Sequence, residues 1–209
     1  PAGAMPVARD WWLSFGSAQL PALVDAALKT IGLHGSLNVT MSQIARNAGV
    51  SPALAHHYFG SKEHLLIETI RSLLRQLRTD TVRELGLAAT PAERISALIR
   101  VSFQADQFTP ETIAAWLAFY SEVPRSEATR RLLLIYAQRL RSNLMHALTS
   151  LAPYADAERI AEGTAAMIDG LYIRQSLRAA PLSIDASVTL VEDYVSRQLS
   201  SAETGAAHQ

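Results

Sequence analysis

Cysteine is absent from all 209 residues, which excludes disulfides, thiolate nucleophiles and cysteine-ligated zinc. Long apolar runs are missing too. A membrane-crossing helix needs ~20 such residues, and the stretch from Thr112 to Tyr120 is about half of that. The start of the chain lacks the basic-then-apolar pattern of a secretory leader. Together these absences lead us to expect a cytoplasmic protein without a membrane anchor. No G-x-S-x-G elbow, H-E-x-x-H helix or phosphate-cradling glycine loop occurs. His56 and His57 are adjacent, so on a helix they point to different faces and cannot chelate one metal together. Neither an enzyme nor a bound cofactor or metal is expected.

Net charge is zero, with 19 basic and 19 acidic residues, but their distribution is uneven. From Ala26 through Lys62 there is no Asp or Glu, while Lys29, Arg46 and Lys62 are present and His34, His56 and His57 can add charge. A surface laid against phosphates must exclude carboxylates, because like charge repels along the whole duplex. Chance depletion in a short window gives the same pattern, so motifs have to decide.

Period-two alternation is nearly missing, whereas helical spacing recurs throughout. Leu20, Leu23, Val24, Ala27, Leu28 and Ile31 mark a first helix, which Gly32 and Gly35 are expected to end. Thr40 stands three residues before Gln43, a capping box that opens a short second helix, broken at Ala48-Gly49-Val50. Ser51 followed by Pro52 caps a third, which runs to Phe59 and stops at Gly60. Ser61 caps a long fourth helix from Lys62 to about Ala88. Thr90-Pro91-Ala92-Glu93 and Thr109-Pro110-Glu111 open two more. Ser126 to Leu151, Asp156 to Ala179 and Ser183 to Ser200 complete an expected all-α chain of nine helices. Residues 1–18 and 201–209 are expected to be a flexible arm and tail. They flank a head over residues 19–66 and a body over residues 67–200.

The segment from Thr40 to Phe59 reads as two short helices joined by a tight turn. Ile44, Ala45, Ala48 and Val50 offer small apolar contacts, and Gly49 permits the turn. In a helix-turn-helix the second helix enters the major groove, which just admits an α-helix. Its outward residues here would be Pro52, Ala53, Leu54, His56, His57 and Tyr58. Such a surface suits thymine methyl groups, histidine bonds to purine edges, and readout of DNA shape. Thr40 and Tyr58 carry hydroxyls suited to phosphate oxygens, and Lys62 adds a cation beside a helix N-terminus. On pattern alone a plain αα-corner without a ligand fits as well.

The runs Ile44-Ala45-Arg46-Asn47-Ala48-Gly49-Val50-Ser51 and His57-Tyr58-Phe59-Gly60-Ser61-Lys62-Glu63 resemble the TetR/AcrR family of one-component transcriptional repressors. That resemblance implies a three-helix head on an all-helical, dimer-forming, ligand-sensing body. It places DNA contacts on Thr40, Ser51, Pro52, Ala53, His56, Tyr58 and Lys62. The likeness extends over about residues 22–200. The stretches Thr112 to Tyr120 and Ala166 to Arg174 resemble the BetI branch, whose members repress choline-to-glycine-betaine genes and respond to choline. The pattern departs ahead of the first helix. Relatives place basic residues there, whereas Gly16 to Pro21 carries none; only Arg9 lies upstream, with Trp11 and Trp12 foreign to the pattern. Either Arg9 reaches the duplex from an arm, or binding is weaker and less salt-dependent.

A quaternary ammonium has no N–H to donate, so aromatic faces and carboxylates must recognise it. Trp116, Phe119 and Tyr120 share a helix face, and Asp169 and Tyr172 sit three apart on a later helix. Phe103 and Asp106 repeat the aromatic–carboxylate pairing. Aromatic stripes of this kind are more often ordinary core. Asp169 fits that plain explanation worst: it lies in an apolar run, and a buried carboxylate needs a partner, whether Arg174, Arg139 or a ligand cation. The expected pocket is Trp116, Tyr120, Asp169 and Tyr172, with Phe103 and Asp106 beside them. A drug, a lipid or a polyamine stands as the alternative effector.

Small residues on the last two helices suggest close helix approach and a homodimer interface: Ala157, Ala161, Gly163, Ala165, Ala166 and Gly170, facing Val188, Val191, Val195 and Leu199. Two heads related by a two-fold axis would read a palindromic double-stranded operator, placing the protein with the nucleoid. The long fourth helix is expected to connect sensor to head, so that a ligand favouring another tilt would alter head spacing.

Overall fold

The computed structural model describes the backbone of residues 8–206, together with the side chains of residues 20–202 and of Thr204. Among the described residues the chain forms nine α-helices and no strand. They are α1 (Ala8–His34), α2 (Met41–Asn47), α3 (Pro52–Phe59), α4 (Lys62–Leu87), α5 (Pro91–Ser102), α6 (Pro110–Glu122), α7 (Glu127–Leu148), α8 (Tyr154–Ser176) and α9 (Ile184–Ala206).

Most helix starts follow from local chemistry. Gln43 donates its backbone N–H to Thr40 Oγ1 at 3.1 Å, and the Thr40 N–H returns a bond to Gln43 Oε1 at 2.7 Å. Ser51 caps α3 by accepting from the Leu54 N–H at 3.2 Å, with Pro52 in the first turn where its missing N–H costs nothing. Ser61, Thr90, Thr109 and Ser126 cap α4 to α7 likewise. Gly49, at φ 69°, makes the α2–α3 turn in a region that a side chain would strain.

Both chain ends differ from expectation. The arm expected over residues 1–18 is helical from Ala8, inside α1, and Pro21 lies within that helix. Proline there forfeits one backbone hydrogen bond, which a helix of 27 residues can absorb through the remaining ones. Residues 1–7, and the Arg9, Trp11 and Trp12 side chains, lie outside the described residues. At the other end α9 continues to Ala206, so Ser201 to Ala206 is helix rather than tail, and residues 207–209 lie outside the described residues. Gly32 does not end α1 either. The helix continues to His34, and Gly35, at φ 59°, turns the chain.

Two apolar cores result. One joins Leu23, Ala27 and Ile31 of α1 to Ile44, Ala55, Phe59 and Leu65, and does not stop at the head: Ala115, Trp116 and Phe119 of α6 belong to it. The other packs Ile99, Phe103, Leu144, Leu148, Ile160 and Val191 within the body. Each buried Leu, Ile, Val or Phe among them contributes ~1.5–3 kcal/mol by leaving water, and each Ala about 0.8 kcal/mol. Half of the stripe expected to face a second copy is buried within the chain itself. Ala157, Ala161, Val188, Val191 and Val195 are buried in the chain's own body, because α8 and α9 pack first on each other and on α5 and α7. Ala166, Ile173 and Leu190 are among the side chains of these helices left outward, with Leu177 just past the end of α8. Among the described residues no helix is long and apolar enough to cross a membrane.

Candidate nucleic-acid interface and effector cavity

The third helix turns only Ala55 and Phe59 into the core. Pro52, Ala53, His56 and His57 are exposed, and Leu54 and Tyr58 are half-buried. A helix with its outer face open in this way can enter a groove. Several expected contact groups are already engaged. The Thr40 hydroxyl donates to Gln43 Oε1 at 3.0 Å while it caps α2. Lys62 Nζ donates to the Leu37 carbonyl at 3.4 Å, tying the start of α4 to the loop before α2. His56 Nδ1 lies 3.2 Å from the Gly60 carbonyl. A carbonyl only accepts, so in this contact Nδ1 is the donor. His57 meets Tyr58 edge-to-face, with ring centroids 5.7 Å apart.

In the body, a cavity of about 230 Å³ gathers Trp116, Tyr120, Asp169 and Tyr172 from α6 and α8. Leu77 of α4, Ser102 of α5, Tyr136 of α7 and Gln107 of the α5–α6 loop complete much of its wall. The ring of Trp116 lies 5.4 Å from Tyr136 and 6.3 Å from Tyr120. Four aromatic rings and one carboxylate line the space, and no Lys, Arg or His is among its lining residues.

The position of Asp169 differs from expectation. It is not enclosed: solvent reaches its outer edge while its inner edge faces the cavity. Its partner is neither arginine but Tyr120, whose hydroxyl donates to Oδ1 at 3.4 Å. Partial desolvation holds the carboxyl above the usual carboxylate range, opposed by that hydrogen bond. Desolvation, with the Asp169 charge adding to it, also raises the phenols of Tyr120, Tyr136 and Tyr172, so all three stay protonated. The Tyr172 hydroxyl donates to the Ser102 carbonyl.

Phe103 and Asp106 are not brought to this cavity. Phe103 is fully buried and stacks behind Tyr172, at 6.1 Å, so it positions that ring. Asp106 faces a separate, more polar cavity beside Asp25 and Leu28 of α1, because the loop after α5 turns it toward the head. Phe119 shares the α6 face only in sequence: it is 1% exposed and belongs to the core under the head. Sequence reasoning missed Tyr136 and Gln107. The first had a signal, since Leu133, Tyr136, Leu140 and Leu144 form the inward stripe of α7; Gln107 lies in a turn and had none.

Two family models match the chain: bacterial regulatory proteins of the tetR family over residues 23–69, and the C-terminal domain of BetI-type transcriptional repressors over residues 91–200. The chain belongs to the BetI-type group of the tetR family. Its relatives include the HTH-type transcriptional regulator BetI of Rhizobium meliloti, 73% identical over 85% of this chain and 88% of that protein. The BetI of Agrobacterium fabrum is 68% identical over 88% and 89%. A transcriptional regulator structure from Pseudomonas aeruginosa has TM-score 0.75 at 26% identity, covering 88% of this chain and 92% of that one. One from Saccharomonospora viridis, solved in complex with choline, has TM-score 0.75 at 23% identity, covering 86% and 96%. This BetI-type protein is therefore a DNA-binding transcriptional repressor and not an enzyme.

Proposed function

We propose that this repressor binds a palindromic duplex operator as a homodimer, and that choline held in the α6–α8 cavity changes its hold on DNA. The genes under its control would be those converting choline to glycine betaine, acting from the nucleoid in the cytoplasm. The observation carrying the effector reading is the cavity's composition: one carboxylate, four aromatic rings and no cation. A quaternary ammonium is attracted to ring faces and to Asp169 and offers no hydrogen bond that the site must answer. The choline complex of the Saccharomonospora viridis relative supports the same reading. A polyamine would leave its further charges facing apolar wall. A larger apolar effector is the second reading, favoured by an adjoining groove of about 270 Å³ that shares Leu77, Ser102 and Tyr136 with this cavity.

On the DNA side, the open face of α3 supports contacts from Ser51, Pro52, Ala53, Leu54, His56, His57 and Tyr58, with Thr40 and Lys62 flanking it. With Nδ1 engaged by the Gly60 carbonyl, His56 Nε2 is left for a base edge. Coupling has a direct route besides α4, because α6 carries Trp116 and Tyr120 and also packs against α1. Choline can shift operator binding only as far as its affinity differs between the two arrangements. Calorimetric titration of choline into Trp116→Ala and Asp169→Asn tests the cavity. We expect at least about tenfold loss in each; unchanged affinity in both would reject it.

A further inference from the structure

Gln107 is 2% exposed and Trp116 5% exposed, and both line the effector cavity. Gln107 Oε1 and Trp116 Nε1 are buried without a hydrogen-bond partner in the protein. The hydroxyls of Tyr120 and Tyr172 in the same wall already donate to Asp169 and to the Ser102 carbonyl. Two residues of the cavity wall thus carry one buried unanswered acceptor and one buried unanswered donor, and Gln107 borders the polar cavity beside Asp106 as well. Leaving such groups unpaired is costly, so a ligand that answers both is strongly preferred.

Resting on the quaternary-ammonium reading above, we propose that Gln107 and Trp116 form a hydroxyl-reading subsite. The effector is then an alcohol on a short arm of a quaternary ammonium, its O–H donating to Gln107 Oε1 while its oxygen accepts from the Trp116 N–H. A hydroxyl is the smallest group that does both at once. The rings and Asp169 hold the cation, and this pair sets which cation is accepted. A site built to hydrogen-bond a hydroxyl rejects the analogue lacking it far more strongly than an apolar wall rejects a methyl group.

The full-length protein is titrated calorimetrically with choline and with propyltrimethylammonium, which carries a methyl group where choline carries its hydroxyl. The expected result is at least about tenfold tighter binding of choline. Gln107→Leu should erase most of that preference, read as the ratio of the two affinities. Trp116→Phe, which keeps a ring in the core, should weaken both cations but narrow the same ratio, and serves should Gln107→Leu not fold. Equal affinity of the unaltered protein for both cations overturns this inference alone. Binding of neither cation overturns it together with the reading beneath it. Full retention of the preference in the folded variants shows that other groups read the hydroxyl.

Discussion

Gly32 of α1 lies so close to Glu111 of α6 that a Cβ at Gly32 would stand 2.3 Å from the Glu111 carbonyl oxygen. The obstacle is backbone at the first turn of α6, not a side chain that could swing away. Head and sensor are therefore in contact through main chain, on the helix that carries Trp116 and Tyr120. Under the proposed effector reading, a displacement of α6 would reach α1 without an intermediary.

Gly32→Ala should force α1 and α6 apart. We expect a loss of about 1–3 kcal/mol in unfolding free energy, as for other overpacked sites. Denaturant titration checks it. An unchanged midpoint would show that the two helices yield freely at this contact.

Ala53 sits exposed in the first turn of α3. Aspartate is favourable near a helix N-terminus, so Ala53→Asp should leave the fold intact while setting a negative charge against the duplex. Operator binding, measured on a duplex recovered by in vitro selection, should fall by at least about a hundredfold. Choline binding should not change. Retained operator affinity would remove α3 as the reading helix.

Under the proposed effector reading, Asp169 should link choline binding to pH. Its carboxyl lies above the ordinary range in the free protein, and a bound cation favours the ionised form. Choline affinity should be full above this raised value and decline as pH falls through it, with a proton released on binding in that window. Asp169→Asn should abolish that dependence. For folding the sign is opposite: a raised folded-state value means the ionised form costs stability at neutral pH. Asp169→Asn should therefore melt slightly higher while binding choline more weakly. Titrations between pH 4 and 7 in two buffers of different ionisation enthalpy read the proton; the range is chosen from the ordinary carboxylate value upward.

Leu177, at the C-terminal cap of α8, and Leu190 of α9 are 79% and 46% exposed. If these helices join two copies, Leu190→Arg should move the protein toward monomer in sedimentation velocity and lower operator affinity together with it. A dimer undisturbed by Leu190→Arg and by Leu177→Arg places the interface elsewhere.

Adjacent residues sufficed for the helix starts, since a hydroxyl, a following proline and an acceptor three positions on settle a cap within one turn. Gly49 and Gly60, with Phe59 before the stop, likewise define α3 locally, and the run without carboxylates from Ala26 to Lys62 already described a surface that duplex DNA tolerates. What lay between helices far apart in the chain was settled only by packing. Ala157 and Ala161 of α8 proved to be internal, Gly32 a point of contact rather than a stop, and Phe103 the support of a wall rather than part of it. Tyr136 and Gln107 entered the cavity from α7 and a turn because α4 to α8 enclose a space whose walls no single helical period describes. Burial against partners distant in sequence is a property of the whole arrangement, and only the folded chain has it.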